Sequence, residues 1–345
     1  MEEHYRPTAS RPPQTNDNVT LEDVARLAGV TAMTVSRTLK RPELVRETTR
    51  QRVLDAVRVT GYVPNLLAGA LATNRSHLVA LLLPTIATSI FTELVQTMMS
   101  TLAASGYETL LGLTDYRRER EEQLVHTLLG RRPDAIVLTG TDHSRVTRER
   151  LLKTNVPIVE VWDLADDPID MLVGFSHEAV GRAVVSHLLK KSYRRFALMS
   201  ADDPRGIRRS ISIVEALREH GMDDVPLEVL PAPATLQAGR EGFVRLLDKG
   251  LPDVIVCSTD MLAQGILAEA ASRGIGVPQQ VAVMGFGDLS TAAHVHPSLS
   301  TVRIDGAMIG RLAAEALLQR LDGNPPVNET LRVDTGFTII DREST

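Results

Sequence analysis

The stretch TLEDVARLAGVTAMTVSRTL, residues 20–39, has the pattern of two short helices joined by a tight turn. Thr20 and Asp23 have the spacing of a capping box, in which each side chain bonds the backbone amide of the other residue at the start of a helix. Gly29 can adopt the left-handed conformation that a turn between helices requires, and Thr31 is suited to cap the second helix. The stretch therefore predicts a helix-turn-helix.

A third helix, predicted at residues 48–59, closes the small core of this unit. It carries Val53 and Ala56 among charged residues, while Val35 of the second helix turns inward. The whole chain has a net charge of −5, yet the region between residues 37 and 58 is locally basic. Its basic residues are Arg37, Lys40, Arg41, Arg46, Arg50, Arg52 and Arg58. Such a local patch is typical of a surface that meets nucleic acid.

The second helix of a helix-turn-helix enters the major groove of DNA with its N-terminal residues. We therefore expect Ala32 and Met33 nearest the base edges, and Arg37 one turn later can donate two hydrogen bonds to guanine. Further candidate DNA contacts, with the hydroxyls of the second helix expected at phosphates, are Thr20, Thr31, Thr34, Ser36 and Tyr62. The alternative is a small helical interaction domain with solvated charges.

From residue 77 onward, short apolar runs alternate with amphipathic stretches, beginning with HLVALLLPT at residues 77–85. Runs that are apolar on both faces are typical of parallel strands covered by helices. About nine such runs suit two similar lobes better than one sheet. We predict an α/β fold class in which an N-terminal all-α helix-turn-helix head precedes a two-lobed core of doubly wound parallel sheets.

The remaining composition disfavours several other kinds of protein. Residues 1–18 are polar and rich in proline, which predicts a disordered arm rather than a signal peptide, and no apolar run has the length of a membrane span. We therefore expect a cytoplasmic protein with no membrane partner. Cys257 is the only cysteine, and the isolated His143 and His177 do not suggest a metal site. No cofactor is expected.

Two stretches carry a resemblance to the LacI (lactose repressor) family of bacterial transcription regulators. They are DVARLAGVTAMTVSRTL, residues 23–39, and TTRQRVLDAVRVTGYVPNLLAGALATNRS, residues 48–76, and the likeness continues to the C-terminus. The resemblance implies a homodimer that binds operator DNA and a core similar to periplasmic sugar-binding proteins. That core would hold a small-molecule effector between its lobes.

The residue pattern together with this resemblance predicts a set of domain boundaries. The arm would span residues 1–18, the DNA-binding domain residues 19–62, a hinge helix or linker residues 63–76, and the effector-binding and dimerisation core residues 77–345. The two lobes of the core are expected at about 77–174 plus 305–335, and at about 175–304 plus 336–345.

In this family the hinge helix orders when two protomers lie side by side on the operator. The resemblance implies that Leu71 is the residue that wedges between base pairs from the minor groove, with Asn65 and Ala68 as neighbouring contacts. An exposed apolar side chain can unstack a base step, and small residues around it permit close approach of paired helices. The alternative is an ordinary linker helix with Leu71 packed on its own domain.

Ligands of open α/β sheets bind at the carboxyl ends of the strands. The candidate effector-binding residues there are Ser89, Phe91, Trp162, Asp163, Ser176, Arg208, Arg209, Thr259 and Asp288. The resemblance assigns the family's sugar-binding arginine to Arg209, with Arg208 as the alternative. Several guanidinium groups near one cleft favour an anionic ligand, because an arginine fork matches a carboxylate.

The phrases ALLLPTIATSIFTELVQ and PIVEVWD look most like the gluconate-operon repressors of the family, which implies a repressor whose effector is gluconate or 2-ketogluconate. One alternative is a regulator that responds to a neutral sugar or another metabolite. A more remote alternative is an enzyme with a Rossmann-like fold, although the strand turns lack the glycine spacing of nucleotide-binding loops.

Overall fold

The computed structural model describes residues 19–63, 75–87, 89–323 and 331–345. The chain divides into two compact units, one ending at Arg75 and the other running from Ser76 to Thr345. The predicted arm and residues 64–74 of the predicted hinge lie outside the described residues. The positions predicted for Asn65, Ala68 and Leu71 are among them.

Within its described residues, the first unit contains three α-helices, α1 (Leu21–Ala28), α2 (Ala32–Lys40) and α3 (Glu47–Thr60), and a short 3-10 helix at Pro42–Leu44. Both halves of the predicted capping box form: the Thr20 amide donates to Asp23 Oδ2 at 3.0 Å, and the Asp23 amide donates to Thr20 Oγ1 at 3.3 Å. Gly29 adopts the left-handed conformation at φ 64°, which turns the chain into α2. The helices enclose a core of Val24, Ala25, Ala28, Val35, Val53 and Ala56.

The second unit contains two parallel sheets. The strands of the first sheet are β1 (Leu78–Leu83), β2 (Glu108–Leu113), β3 (Ala135–Thr139), β4 (Ile158–Val161), β5 (Met171–Gly174) and β11 (Arg332–Asp334). Its order is β11-β5-β4-β3-β1-β2. The strands of the second sheet are β6 (Phe196–Ala201), β7 (Leu227–Leu230), β8 (Val254–Cys257) and β9 (Ala282–Met284), in the order β7-β6-β8-β9. A separate antiparallel pair joins β10 (Thr301–Arg303) to β12 (Thr338–Ile340).

Helices connect the strands of each sheet. Those of the first sheet are α4 (Thr92–Ala104), α5 (Arg118–Gly130) and α6 (Arg145–Leu152), and α11 (Gly306–Leu321) packs against α4. Those of the second sheet are α8 (Pro204–Arg218), α9 (Leu236–Leu247) and α10 (Asp260–Ser272), and α7 (His177–Lys190) connects β5 of the first sheet to β6 of the second. Gly181 allows α7 and α8 to cross closely, because a Cβ there would lie 2.6 Å from Ser212 Oγ.

The predicted fold class is confirmed. In both sheets the strand order reverses next to the first strand, β1 or β6, and such a switch point leaves a crevice at the carboxyl ends of the strands. The ends of β3, β4, β6, β8 and β9 supply the residues discussed below. Within the described ranges, no helix has the length and apolar character needed to cross a membrane.

Candidate DNA-binding surface and effector cavity

Helix α2 presents two large exposed side chains, Met33 near its start and Arg37 one helical turn later. Met33 is 69% exposed, and Arg37 Nη2 lies 3.9 Å from its sulfur. Ala32, which we also expected at the base edges, is half-buried and packs against the core of the head. The exposed face of α2 therefore offers an apolar group beside a guanidinium.

The basic residues of the head fall into two groups. Arg26 pairs with Asp23, Arg50 pairs with Glu47 at 2.6 Å, and Arg58 pairs with Asp55 at 3.2 Å. The others have no carboxylate within ion-pairing distance among the described residues, and they are Arg37, Lys40, Arg41, Arg46 and Arg52. Exposed cations without acidic neighbours are free to meet phosphate groups.

The other predicted DNA contacts differ in their positions on the head. The hydroxyls of Thr20 and Thr31 cap α1 and α2, and Thr31 Oγ1 lies 3.0 Å from Thr34 Oγ1. Ser36 is half-exposed on α2, whereas Tyr62 packs partly against the core of the head. Thr31, Thr34 and Ser36 thus belong to the same short helix as Met33 and Arg37.

A cavity with an empty volume of about 530 Å³, partly open to solvent, lies at the carboxyl ends of both sheets. Its lining combines residues of the first sheet's connections with residues of the second sheet's connections. The lining residues are Ile90, Phe91, Tyr116, Trp162, Ala201, Asp203, Arg205, Arg209, Ala234, Ser258, Thr259, Met261, Phe286 and Leu289. Four predicted effector-binding residues, Phe91, Trp162, Arg209 and Thr259, are among them.

Arg209 is held inside this cavity by contacts on every side. Its Nη1 donates to His177 Nδ1 at 3.0 Å, its Nη2 donates to the Ser258 carbonyl at 2.7 Å, and its guanidinium carbon lies 3.7 Å from the centre of the Phe286 ring. Burial lowers the pKa of Arg209 to about 10, so the group remains a cation at neutral pH. It has no carboxylate partner among the described residues.

His177 is fully buried and sets the orientation of Arg209. Burial, reinforced by the charge of Arg209, holds the pKa of His177 well below its usual value, so the imidazole is neutral. Because Arg209 can only donate, His177 Nδ1 accepts, and the proton on Nε2 is directed to the Trp162 carbonyl at 3.2 Å. These two hydrogen bonds connect Trp162, at the end of β4, to Arg209 on α8 through His177, the first residue of α7.

Arg205 reaches the same cavity from one turn earlier on α8. It is 9% exposed, its Nη1 donates to the Thr139 carbonyl at 3.2 Å, and its guanidinium carbon lies 5.5 Å from the centre of the Phe91 ring. Gly140, at φ 95°, makes this approach possible, since a Cβ there would lie 3.2 Å from Arg205 Nη1. Arg205 belongs to the arginine-rich segment expected at the cleft but was not predicted as an effector contact, although its spacing of four residues from Arg209 puts both on one helix face.

The remaining predicted effector contacts lie outside the cavity lining. Arg208 Nη1 donates to both carboxylate oxygens of the buried Asp163 at 2.8 Å, so the two charges compensate each other. Asp288 pairs with Arg303 and Arg342 at 2.6 and 2.7 Å. Ser89 begins a short 3-10 helix, and Ser176 caps α7.

Aromatic packing forms one wall of the cavity. Trp162 is 2% exposed and contacts Phe91 edge-to-face with ring centres 5.0 Å apart, and Phe175 with ring centres 5.8 Å apart. Its backbone has φ 72°, a conformation rarely tolerated outside glycine and often found at functional sites. Thr259 caps α10 through its hydroxyl while lining the cavity.

Sequence reasoning missed Tyr116, Asp203 and Phe286 as lining residues. Tyr116 has φ 57°, and burial raises the pKa of its hydroxyl to about 12, so it is a neutral donor and acceptor. Asp203 Oδ1 accepts the amides of Arg205 and Gly206 at the start of α8. All three residues follow the carboxyl end of a strand, which is the signal that could have identified them.

Known families match both units. Residues 20–65 match the family of bacterial regulatory proteins of the lacI family, and residues 185–345 match the periplasmic binding protein-like domain. The chain is 39% identical over 336 residues to the HTH-type transcriptional regulator GntR of Pseudomonas aeruginosa, covering 96% of this chain and 97% of that protein.

Solved structures agree with the family match. A LacI family transcriptional regulator from Silicibacter pomeroyi has 33% identity and a TM-score of 0.87, over 94% of this chain and 99% of that one. The lac repressor dimer bound to operator and the anti-inducer ONPF, at 23% identity, has the same fold with a TM-score of 0.79, over 95% of this chain and 99% of that one. This chain therefore belongs to the LacI family and is a DNA-binding transcriptional regulator.

Proposed function

We propose that this protein is a repressor of sugar-acid utilisation genes that binds a palindromic operator as a homodimer and responds to gluconate or 2-ketogluconate in the cavity. The observation that carries the proposal is the pair of buried arginines in the cavity, Arg205 and Arg209. Neither has a carboxylate partner among the described residues, and a carboxylate ligand would supply one.

The electrostatic setting of the cavity supports an acid over a neutral sugar. An uncompensated guanidinium in a site of low dielectric is costly, and an anion that enters the site relieves that cost. The neutral His177 adds no positive charge of its own. The alternative effector, a neutral sugar, could accept hydrogen bonds from the two arginines through its hydroxyls but would bring no negative charge to compensate them.

Exposed apolar groups on the first sheet support a homodimer. Strand β2 is an edge strand, with Leu110 and Leu111 each 42% exposed, and Met99 of α4 is 38% exposed. Apolar groups along an uncovered edge favour contact with another chain. The two-fold symmetry of such a dimer would be mirrored in the operator, with one head on each half-site. Residues 63–76 remain the proposed hinge.

The proposed ligand binds reversibly and is not converted. The relatives described above are transcriptional regulators, and the cavity's buried cations are arranged to hold an anion rather than to move a proton. A Rossmann-like enzyme would instead show turnover. Incubation with gluconate and 2-ketogluconate, followed by mass spectrometry of the ligand, is expected to return each acid unchanged.

The operator proposal is tested by selecting duplexes from a random palindromic library and comparing the native protein with Arg37→Ala. We expect a loss of about 1–3 kcal/mol in operator binding, together with relaxed preference at one base pair per half-site, because Arg37 would read guanine. Arg26→Ala is the matched control, since Arg26 is exposed on α1 and paired with Asp23. A uniform loss on all duplexes would assign Arg37 to phosphate contact only.

The effector proposal is tested by adding gluconate, 2-ketogluconate or glucose to the operator complex and following its dissociation by fluorescence anisotropy. Either acid is expected to shift the midpoint of operator binding, and glucose is expected to leave it unchanged. A shift with glucose alone would favour the neutral-sugar alternative.

A further inference from the structure

We propose that Arg205 is the residue by which the cavity selects a singly charged acid over a neutral polyol of the same length. The inference rests on the proposed function, because it takes the cavity as the effector site. It assigns different roles to the two buried arginines. Arg209 links parts of the cavity wall to each other, and Arg205 binds the carboxylate of the ligand.

The charged residues that line the cavity do not balance one another. Among the described lining residues only Asp203, Arg205 and Arg209 are charged, which leaves one positive charge uncompensated. The neighbouring pair of Arg208 and Asp163 compensates itself and lies outside the lining. A monoanion would neutralise the cavity, a neutral polyol would leave a buried cation unpaired, and a dianion would introduce an excess negative charge.

The two arginines differ in how the protein engages their hydrogen-bond donors. Arg209 uses both terminal nitrogens on His177 and Ser258 and covers one face with Phe286, so its guanidinium holds parts of the protein together. Among the described residues, the Arg205 side chain makes one hydrogen bond, from Nη1 to the Thr139 carbonyl. Its Nε and Nη2 are bonded to none of these residues and can donate to a carboxylate.

The position of Arg205 is fixed before any ligand arrives. The side chain is 9% exposed and lies between the Thr139 carbonyl and the Phe91 ring, with Gly140 leaving the space that its Nη1 occupies. Since a preorganised group loses little conformational entropy on binding, most of its attraction for a carboxylate contributes to affinity. Fixed placement also makes the attraction specific for charge at one point of the ligand.

Three other partly buried arginines show what the chain does when a cation has only a structural task. Arg208 pairs with Asp163, Arg320 pairs with Asp170 at 3.1 Å, and Arg342 pairs with Asp288 at 2.7 Å. Each has a carboxylate from the chain itself. Arg205 and Arg209 are more deeply buried than these three, and neither has a carboxylate among the described residues. Of the two, Arg209 is engaged by His177, Ser258 and Phe286, which leaves Arg205 as the cation expected to receive its counter-ion from a ligand.

The experiment is isothermal titration of the full-length protein with three six-carbon ligands: gluconate as monoanion, glucitol as neutral polyol and glucarate as dianion. For the native protein we expect gluconate to bind at least about 30-fold more tightly than glucitol, and more tightly than glucarate. Arg205→Gln should weaken gluconate binding by about 30-fold while changing glucitol binding less than about 3-fold, so that the preference for the acid disappears.

Two further variants test whether Arg205 recognises the charge of the ligand or only contributes to the shape of the cavity. Arg205→Lys keeps the charge and is expected to retain a preference for gluconate over glucitol. Arg209→Gln is expected to weaken both ligands by similar factors, because it removes the group that links His177 to the Ser258 carbonyl in the cavity wall. The thermal unfolding midpoint of every variant is measured, so that a folding defect is recognised.

The possible results test the role of Arg205 separately from the proposed sugar-acid effector. If Arg205→Gln weakens gluconate and glucitol equally, or keeps the native preference for the acid, Arg205 does not read charge and the inference is overturned alone. If the native protein binds gluconate no better than glucitol, the inference and the sugar-acid part of the proposed function both fail. Stronger binding of glucarate than of gluconate overturns the monoanion assignment.

Discussion

The head and the cavity both present arginines without carboxylate partners among the described residues, but they do so in opposite surroundings. Arg37 extends from α2 into solvent, whereas Arg205 and Arg209 are 9% and 7% exposed. An exposed cation keeps its hydration and interacts through a salt-screened field. A buried cation has lost most of its hydration, so a partner at contact distance matters far more.

This difference suits two kinds of anion. A DNA backbone is a long row of phosphates, and it can be met by several exposed cations that each contribute a little. A small acid offers one carboxylate, and the site must gain its affinity from one or two well-placed donors. Three measurements test whether exposed and buried cations of this protein differ in this way.

The largest expected effect is a contrast in salt dependence. Raising the salt concentration from about 50 to about 200 mM should weaken operator binding by about 10³-fold, because phosphate contacts release condensed counterions. The same change should alter gluconate affinity by less than about 3-fold, because the cavity arginines are shielded from mobile ions. Anisotropy and calorimetry in matched buffers provide the two slopes. Equal slopes would mean that the cavity cations are as hydrated as those of the head.

The second effect is a loss of unfolding free energy when the ion pair of Arg208 and Asp163, beside the cavity, is broken. Arg208→Met leaves the Asp163 carboxylate, 1% exposed, without its main counter-charge, and should cost about 2 kcal/mol of unfolding free energy. The loss is smaller than for a fully buried pair because Arg208 is one-third exposed. Urea denaturation of the native protein and the variant measures it.

The pH dependence of this loss has a defined sign. Burial raises the pKa of Asp163, and the charge of Arg208 opposes that rise. Without Arg208 the pKa rises further, so the ionised carboxylate destabilises the fold at neutral pH, and protonation relieves this as the pH falls towards 5. The deficit of Arg208→Met should therefore shrink between pH 8 and pH 5. Arg218→Met is the control, since Arg218 and Asp223 form an exposed pair at 3.5 Å, and its effect should stay within about 0.5 kcal/mol.

The smallest expected effect is on the local stability of the head. Thr20→Ala removes the capping box of α1 and should cost about 1 kcal/mol, whereas Thr20→Ser keeps the hydroxyl and should cost less. Amide hydrogen exchange at Val24 and Ala25, measured without DNA, should be about 5-fold faster in the alanine variant. Unchanged exchange would show that the helix is held by its core residues alone.

The sequence specifies the head almost completely because its signals are local. The capping pair of Thr20 and Asp23, the turn at Gly29 and the inward Val35 all act within a few residues, and each has the predicted role in the structure. The apolar runs from residue 78 onward likewise predict parallel strands, since both faces of each strand are covered.

The cavity was harder to predict because it depends on side-chain direction across sequence-distant elements. Arg208 and Arg209 are adjacent in sequence, yet one binds Asp163 and the other lines the cavity. Arg205 depends on Gly140 and the Thr139 carbonyl, more than sixty residues earlier in the chain. No local sequence pattern predicts such a contact. The four-residue spacing of Arg205 and Arg209 indicates only that both side chains lie on one face of α8.

Trp162 gives the molecule an internal optical label. It is the only tryptophan of the chain, and its indole packs against Phe91 and Phe175 in the wall of the cavity. Its emission therefore reports on this one place, without background from the head or from any other indole. Quenching by acrylamide or a shift in the emission maximum would follow occupancy of the cavity in the unmodified protein, even while the protein remains on DNA.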